Sequence, residues 1–215
     1  MTDDLAGFHP RAFARANNEP DAIYFAKRGQ DTLMDVGART AVSALYQTTL
    51  PAMGDVLDLM CGSLSHIPPE ASHDRVVGLD VSRSALDANA SLTERVVQDL
   101  NTDTVLPFED ETMDAVCLCD GLAYLTQPVS VLREVWRVLK PGAPLIITFS
   151  DNFHVAKAVA LWQALESEDR SRFISLLLGR AGFMEIDTGE VVPPEDLTAW
   201  HDTVHALIAR KTANA

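Results

Sequence analysis

The stretch DVLDLMCGSLSHIPPE, residues Asp55–Glu70, joins an apolar run to a loop of small residues. The run Val56–Leu59 encloses Asp58 among aliphatic side chains, a pattern typical of a strand that is buried on both faces of a parallel sheet. Met60–Ser63 then begins a loop where a ligand can approach the backbone. We therefore predict a ligand site at this junction, inside an α/β fold.

Composition limits the classes of partner. The chain has 215 residues, enough for one compact domain, and its 31 acidic and 17 basic residues give a net charge of −14. Such a field repels phosphate backbones and anionic membranes, so we expect no nucleic-acid and no membrane partner. The acidic start MTDDLAGFHP does not resemble a signal peptide, and no apolar run is long enough to span a bilayer. Three cysteines without framework spacing favour the cytoplasm.

Further apolar segments alternate with helical or irregular connections, which favours a parallel sheet with helices on both faces. The last two segments are joined by a Pro-containing loop that leaves no room for a crossover helix, so we expect them to pair antiparallel. The predicted fold is a doubly wound, mostly parallel seven-stranded sheet with an antiparallel C-terminal hairpin strand and an N-terminal helical cap. Its strands are Val56–Met60, Arg75–Leu79, Arg95–Gln98, Asp114–Cys119, Leu145–Phe149, Phe183–Gly189 and Thr203–Arg210.

Helical spacing of apolar residues predicts the long helices. They cover residues 31–50, Pro128–Lys140 and about 155–181, and they end at Pro51, Pro141 and Gly182. A shorter helical segment is Ser82–Asn89. We expect a single domain, in which residues 1–50 form the cap and first helix and residues 51–215 form the core.

Acidic side chains stand at or near the ends of the first four predicted strands: Asp58, Asp80, Asp99 and Asp120. In open α/β sheets ligands bind beyond the carboxyl ends of the strands, where the winding reverses. Asp80 there suits the ribose hydroxyls of an adenosine cofactor, although an acid at a helix N-terminus has the same pattern. Asp99 suits an adenine amino group, with the Leu100 N–H as a donor, or else it is an aspartate of a turn.

Five segments, in this order and spacing, resemble class I S-adenosylmethionine-dependent methyltransferases of the type-11 kind. The likeness extends from Val56 to Asp151, and the terminal hairpin fits the same family. The segments are VLDLMCGS (Val56–Ser63), VVGLDVS (Val76–Ser82), QDLN with LPFED (Gln98–Asn101, Leu106–Asp110), MDAVCLCDGLAYL (Met113–Leu125) and REVWRVLKPGAPLIITF (Arg133–Phe149).

The resemblance implies a cofactor, S-adenosylmethionine, and a role for each strand end. The first loop would hold the methionine part, the second strand end the ribose, the third the adenine, and the backbone after the fourth strand the methionine amine. The residues for the methionine part are Asp58, Met60, Cys61, Gly62 and Ser63, and those for the ribose are Asp80 and Val81. Asp99 and Leu100 would contact the adenine, and the backbone of Cys119 and Asp120 the methionine amine.

The first loop departs from the family pattern. The family's glycine-rich consensus places glycines at positions 60, 62 and 64, but here Met60 and Leu64 flank Gly62. A side chain at Met60 restricts the backbone and the approach of a ligand, so we predict a reshaped pocket. The pair Pro68-Pro69 is expected to shorten the helix that normally follows this loop.

Aromatic and titratable residues supply the remaining candidates. Tyr24 and Tyr124, with Phe25, are candidate walls around a sulfonium, or else core aromatics under the cap. Arg28 is a candidate partner of the cofactor carboxylate, or else an exposed arginine. Asp120, His154 and His66 are candidate bases, needed only if the acceptor loses a proton. The cysteines at positions 61, 117 and 119 are expected to be buried thiols rather than metal ligands.

We therefore predict a methyltransferase that acts on a small-molecule acceptor by in-line transfer. The first alternative is a catalytically silent relative with a regulatory or partner-binding role, which the residues Met60 and Leu64 would explain. The second is a nicotinamide-dependent oxidoreductase, which shares the strand, loop and strand-end acid. The lack of a three-glycine fingerprint and the closing hairpin speak against the second.

Overall fold

The computed structural model describes residues 4–27, 32–196 and 199–212. Its strands form one sheet of seven, and each lies within a few residues of its predicted position. They are β1 (Asp55–Leu59), β2 (Arg75–Asp80), β3 (Glu94–Val97), β4 (Ala115–Cys119), β5 (Pro144–Phe149), β6 (Glu185–Val191) and β7 (Val204–Arg210).

The strand order in the sheet is β3-β2-β1-β4-β5-β7-β6. The first five strands run parallel, while β7 lies antiparallel between β5 and β6. The winding reverses between β1 and β4, which are neighbours in the sheet but distant in sequence. The predicted mostly parallel sheet with a closing antiparallel hairpin is therefore confirmed, and the reversal marks where a ligand site is expected.

The helices cover both faces of the sheet. They are α1 (Asp21–Ala26), α2 (Val36–Thr49), α3 (Arg83–Ala88), α4 (Pro128–Val138), α5 (Ala160–Ala164) and α6 (Ser167–Ala181). Side chains of α4 and α6 pack with Leu57 and Leu59 on one face, while α2 and α3 pack with Val56 on the other. This alternation follows from the two-residue period of a strand, which sends neighbouring side chains to opposite faces.

The segment from residue 155 to residue 181 is not one helix, as the periodicity predicts, but a turn followed by α5 and α6. Its first residues pair with the N-terminal segment instead: Asn17 N donates to Ala156 O at 2.9 Å and Leu161 N donates to Ala12 O at 2.8 Å. These bonds occupy backbone groups that a helix would use internally. We call residues 4–27 the cap segment.

The connection from β1 to β2, residues 60–74, contains turns and bends but no helix. The helix that was expected to be short is therefore missing altogether from this connection. Pro68 and Pro69 account for it, because proline lacks the N–H that an internal helical turn needs. No helix within the described residues is long and apolar enough to cross a membrane.

Candidate active site

A cavity of about 180 Å³ opens where β1, β2, β3 and β4 end. The loops after these strands form its floor and sides, and the rest of its wall comes from the cap segment, residues 32–39 and His154. Most of the predicted site residues line it: Asp58, Met60, Cys61, Gly62, Ser63, Asp80, Val81, Asp99, Leu100, Cys119, Asp120, Tyr124 and His154. The topology thus brings together side chains from four separate strand ends.

Asp80 is fixed by two backbone amides. Gly62 N donates to its Oδ2 at 3.0 Å, and Ser82 N donates to its Oδ1 at 2.8 Å. Burial raises the pKa of Asp80, and these two amides oppose the rise. Because a carboxylate oxygen accepts two hydrogen bonds, each oxygen keeps acceptor capacity for a ligand hydroxyl.

Met60 adopts the left-handed conformation that glycine would favour, with φ of 56°. Gly62, at φ of 58°, does the same, and a Cβ on Gly62 would meet no atom within 4 Å. The loop therefore keeps the backbone path of a glycine-rich turn although its first glycine is missing. An L-residue in this region costs about 1–2 kcal/mol, so the packed fold holds Met60 in a strained state.

Asp58 lies at the floor of the cavity and is only 3% exposed. Burial raises its pKa to about 7, the nearby Asp80 charge adds to the rise, and the hydrogen bond from Ser65 Oγ at 2.5 Å opposes it. A carboxyl in this range changes charge near neutral pH.

Asp120 stands on a second left-handed turn, with φ of 53°. Its N–H donates to Thr148 O at 2.9 Å, and its Oδ1 accepts from Ser150 N at 3.1 Å. Burial raises the pKa of Asp120 to about 7, and the Asp202 charge adds to this effect while the Ser150 bond opposes it. The carboxyl therefore has the proton affinity that suits a general base or acid at neutral pH.

Four rings form one cluster beside the cavity: Tyr24, Phe25, Tyr124 and His154, with centroids 5.1–6.0 Å apart for the contacting pairs. Phe25, Tyr124 and His154 line the cavity, but Tyr24 does not. Tyr24 instead packs behind Phe25, with Lys157 Nζ 5.0 Å from its ring centroid. Phe25 rather than Tyr24 thus lines the cavity, and the place of Tyr24 in the cofactor wall stays a prediction.

Arg39, on the first turns of α2, is a cation on the cavity wall. The periodicity of α2 identified only an amphipathic helix, and it gave no sign that this arginine faces a ligand. Arg39 lies close enough to His66 for its charge to add to the effect of burial, which lowers the pKa of His66 to about 4. His66 is thus neutral at pH 7. The predicted carboxylate partner Arg28 lies outside the described residues.

Two polar residues of the wall also escaped prediction. Asp21 belongs to the cap segment and Asn101 to the turn after β3, and they meet across the cavity wall at 3.0 Å. Their proximity depends on a contact between segments that are far apart in sequence, so no local pattern reveals it.

Residues 57–147 match the family model described as Methyltransferase domain. The demethylmenaquinone methyltransferase of Lactiplantibacillus plantarum is 34% identical over 112 residues, which are 47% of this chain and 47% of that protein. The chain thus spans about half the length of the curated relatives it matches.

Solved structures share the fold. The crystal structure of the cyclase SpnF matches with a TM-score of 0.62 at 18% identity, over 81% of this chain and 82% of that one. Phosphoethanolamine N-methyltransferase 2 of Haemonchus contortus, in complex with S-adenosyl-L-methionine, matches with a TM-score of 0.60 at 14% identity, over 88% of this chain and 56% of that one.

The fold is that of class I S-adenosylmethionine-dependent methyltransferases. Residues 57–147 match the model of that domain, and the fold is shared with the solved structures, so the resemblance found in the sequence is confirmed. The cofactor of that family is S-adenosylmethionine, which the Haemonchus contortus structure contains.

Proposed function

We propose that this chain transfers a methyl group from S-adenosylmethionine to a small-molecule acceptor. The observation that carries this proposal is the convergence of Asp80, Asp99, Asp120 and the Gly62 turn on one cavity. Asp80, Asp99 and Asp120 come from three different strand ends of a methyltransferase fold. The family resemblance predicts cofactor contacts at these positions. A chance arrangement of acids would not follow the strand order in this way.

The residues present fit the cofactor. Asp80 offers acceptor oxygens to the ribose, and Asp99 offers a carboxylate to the adenine amino group. Gly62 leaves open space where a side chain would stand. Arg39 provides positive charge for the cofactor carboxylate. A helix N-terminus after β1 would also supply positive charge, but the connection from β1 to β2 contains no helix, so this role falls to Arg39.

When bound, the cofactor supplies a sulfonium methyl group that a nucleophile attacks in line. The protein then has to orient the acceptor and exclude water, and positioning alone contributes several kcal/mol. Phe25 and Tyr124 give the acceptor side an apolar wall, and Tyr124 Oη is oriented by His154 N, which donates to it at 3.0 Å. Asp120 is the proposed base, with His154 the other candidate, for acceptors that lose a proton.

The proposed acceptor is a small molecule. The relatives are named as demethylmenaquinone methyltransferases, and aromatic side chains form part of the cavity wall here. The net charge of −14 disfavours nucleic acid as acceptor. The three free cysteines support a location in the cytoplasm.

A second candidate is a methyltransferase-like protein without catalysis, in which the fold serves regulation or partner binding. The observation in its favour is the Met60 side chain, which lines the cavity where the family has glycine. Methyl transfer to any acceptor would eliminate this candidate.

Calorimetric titration with S-adenosylhomocysteine tests the proposal. We expect the titration to show binding. In a separate unfolding measurement, S-adenosylhomocysteine at about a hundredfold excess over its Kd should raise the free energy of unfolding by about 2.7 kcal/mol. Asp80→Ala should weaken binding about tenfold or more, since it removes charge-assisted acceptors. The control Asp87→Ala, at an exposed position of α3, should bind as the wild type does.

Three outcomes of these measurements would speak against the proposed function or the proposed role of Asp80. Absence of binding at millimolar concentration would contradict the proposal, and unchanged affinity in Asp80→Ala would remove Asp80 from the site. Stabilisation by a nicotinamide dinucleotide instead would favour the oxidoreductase alternative.

A further inference from the structure

A buried charge cluster fastens the cap segment to the cavity wall. The carboxylate of Asp21 pairs with Arg15 Nη1 at 2.7 Å and with Lys157 Nζ at 2.7 Å. Asp21 is 4% exposed and Lys157 is 0% exposed. Burial acts to raise the pKa of Asp21, but the two cations outweigh it and lower the pKa. We call Arg15, Asp21 and Lys157 the cap cluster.

Asn101 connects this cluster to the turn that follows β3. Its Nδ2 donates to Asp21 Oδ2 at 3.0 Å and to Tyr124 O at 3.1 Å. Its Oδ1 accepts from Thr126 N at 2.7 Å and from Thr126 Oγ1 at 2.9 Å. The amide therefore uses both N–H groups and both lone pairs, which no other side chain of similar size can do.

The backbone of Asn101 is tied to a proposed cofactor contact. Asn101 N donates to Asp99 Oδ1 at 2.9 Å, so the carboxylate that faces the adenine position also fixes the turn that carries Asn101. One residue thus contacts three parts of the wall: the cofactor turn, the loop after β4 that holds Tyr124, and the cap segment.

We propose that Asn101 is a positioning residue that couples the binding of the adenosine cofactor to closure of the cap segment. The inference rests on the proposed function, because it requires the cofactor to contact the Asp99 turn. Asp21 and Phe25 of the cap segment line the same cavity, so the bound ligand contacts them only when the cap segment is in place. This difference in contacts is what a ligand needs in order to shift a conformational equilibrium.

Reciprocity follows. If the cofactor stabilises the closed cap segment, then the contact between Asn101 and Asp21 strengthens cofactor binding by the same factor. The acceptor then has to enter either before the cap segment closes or when the cap segment opens again.

Hydrogen exchange measured with S-adenosylhomocysteine tests the coupling without any variant. We expect the ligand to slow amide exchange in α1, Asp21–Ala26, at least about tenfold, which is the size of a typical coupling between sites. If the ligand binds and exchange in α1 does not change, the coupling is wrong while the proposed function stands. If the ligand does not bind at all, both fail.

Asn101→Asp removes the donor that links the turn after β3 to the cap segment. The new carboxylate retains acceptors for Thr126 but cannot donate to Asp21 or to Tyr124 O. We expect about tenfold weaker binding of S-adenosylhomocysteine, the typical value of one charge-assisted hydrogen bond, and loss of the exchange effect in α1. Binding at wild-type strength would overturn the proposal.

A further variant separates positioning from general damage. Thr126→Val removes one hydrogen bond to the same amide and leaves the contact between Asn101 and Asp21 in place. Affinity and α1 exchange should therefore stay at wild-type values, and a loss as large as that in Asn101→Asp would contradict a specific role of the Asp21 contact.

Discussion

At the scale of single residues, Met60 and Gly121 depend on each other. Met60 holds a left-handed backbone, and its side chain packs against Gly121 from the neighbouring strand end. A Cβ at Gly121 would lie 3.1 Å from both Cβ and Sδ of Met60 and 2.6 Å from Leu118 Cδ1. The first loop has Met60 where the family has glycine, and Gly121 in the facing loop leaves the space that the Met60 side chain fills.

Gly121→Ala should lower the free energy of unfolding by about 1–3 kcal/mol, the usual cost of overpacking. The backbone is not the cause, because Gly121 has φ of −83°, which alanine adopts freely. In a Met60→Gly background, Gly121→Ala should lower the free energy of unfolding by at least about 0.5 kcal/mol less than in the wild type. The reason is that two of the three close contacts of the new Cβ are with Met60, and these are then gone. Urea unfolding of the four proteins measures this coupling.

The control is Gly189→Ala, where a Cβ would meet no atom within 4 Å. It should change stability by less than about 0.5 kcal/mol. Equal costs of Gly121→Ala in both backgrounds would show that Met60 and Gly121 do not share space.

At the scale of elements, the buried charges that hold the cap segment in place differ from charges on helix surfaces. The pair of Lys157 and Asp21 is enclosed, with side chains 0% and 5% exposed, whereas Arg172 and Glu168 on α6 are 67% and 79% exposed. Breaking a buried pair leaves one charge without compensation, whereas water replaces an exposed partner.

Lys157→Met should therefore reduce the free energy of unfolding by about 3 kcal/mol, at the lower end of the usual range because Arg15 still pairs with Asp21. Methionine can fill the volume of the lysine stem, so the loss reports the ammonium group, which pairs with Asp21 and donates to Glu19 O. Arg172→Met, the matched exposed case, should cost less than about 0.5 kcal/mol. Urea unfolding measures both, and similar small costs would mean that the cap cluster adds nothing to stability.

At the scale of the whole molecule, the sheet gathers carboxyls where its parallel strands end. Burial raises the pKa of Asp58 and of Asp120 to about 7. Between pH 3.8 and 7 a native carboxyl of this kind holds its proton while the unfolded one has released it. The native state then binds more protons, so the free energy of unfolding falls as pH rises through this window.

Asp58→Asn removes one such group, since an amide does not ionise. Relative to the wild type, the variant should gain stability as pH rises from 5 to 7, by at most about 1.4 kcal/mol per pH unit, and should keep that gain at pH 8. The half-buried His66 contributes with the opposite sign, so the informative quantity is the difference between variant and wild type in urea unfolding at each pH.

A pH-independent difference for Asp58→Asn would mean that its carboxyl is ionised throughout this range in the folded protein.

The sequence by itself determined the strands, their order along the chain and the resemblance to methyltransferases. Aliphatic runs of strand length are local signals, the first four carry an acid at or near their ends, and a parallel sheet brings those ends to one edge. The positions of Asp58, Asp80, Asp99 and Asp120 on the cavity follow from that rule. Strand bounds were off by a residue or two, because hydrogen bonding rather than hydrophobicity sets where a strand ends.

Only the tertiary structure decided how the cavity is closed. The pairing of the cap segment with residues 156–161 breaks a segment with helical periodicity, because its backbone groups bond to another part of the chain. The same packing turns Phe25 rather than Tyr24 to the cavity, aims Arg39 at it, and joins Asp21 to Asn101. These contacts unite residues far apart in sequence, and side-chain direction across such distances depends on packing that no local pattern encodes.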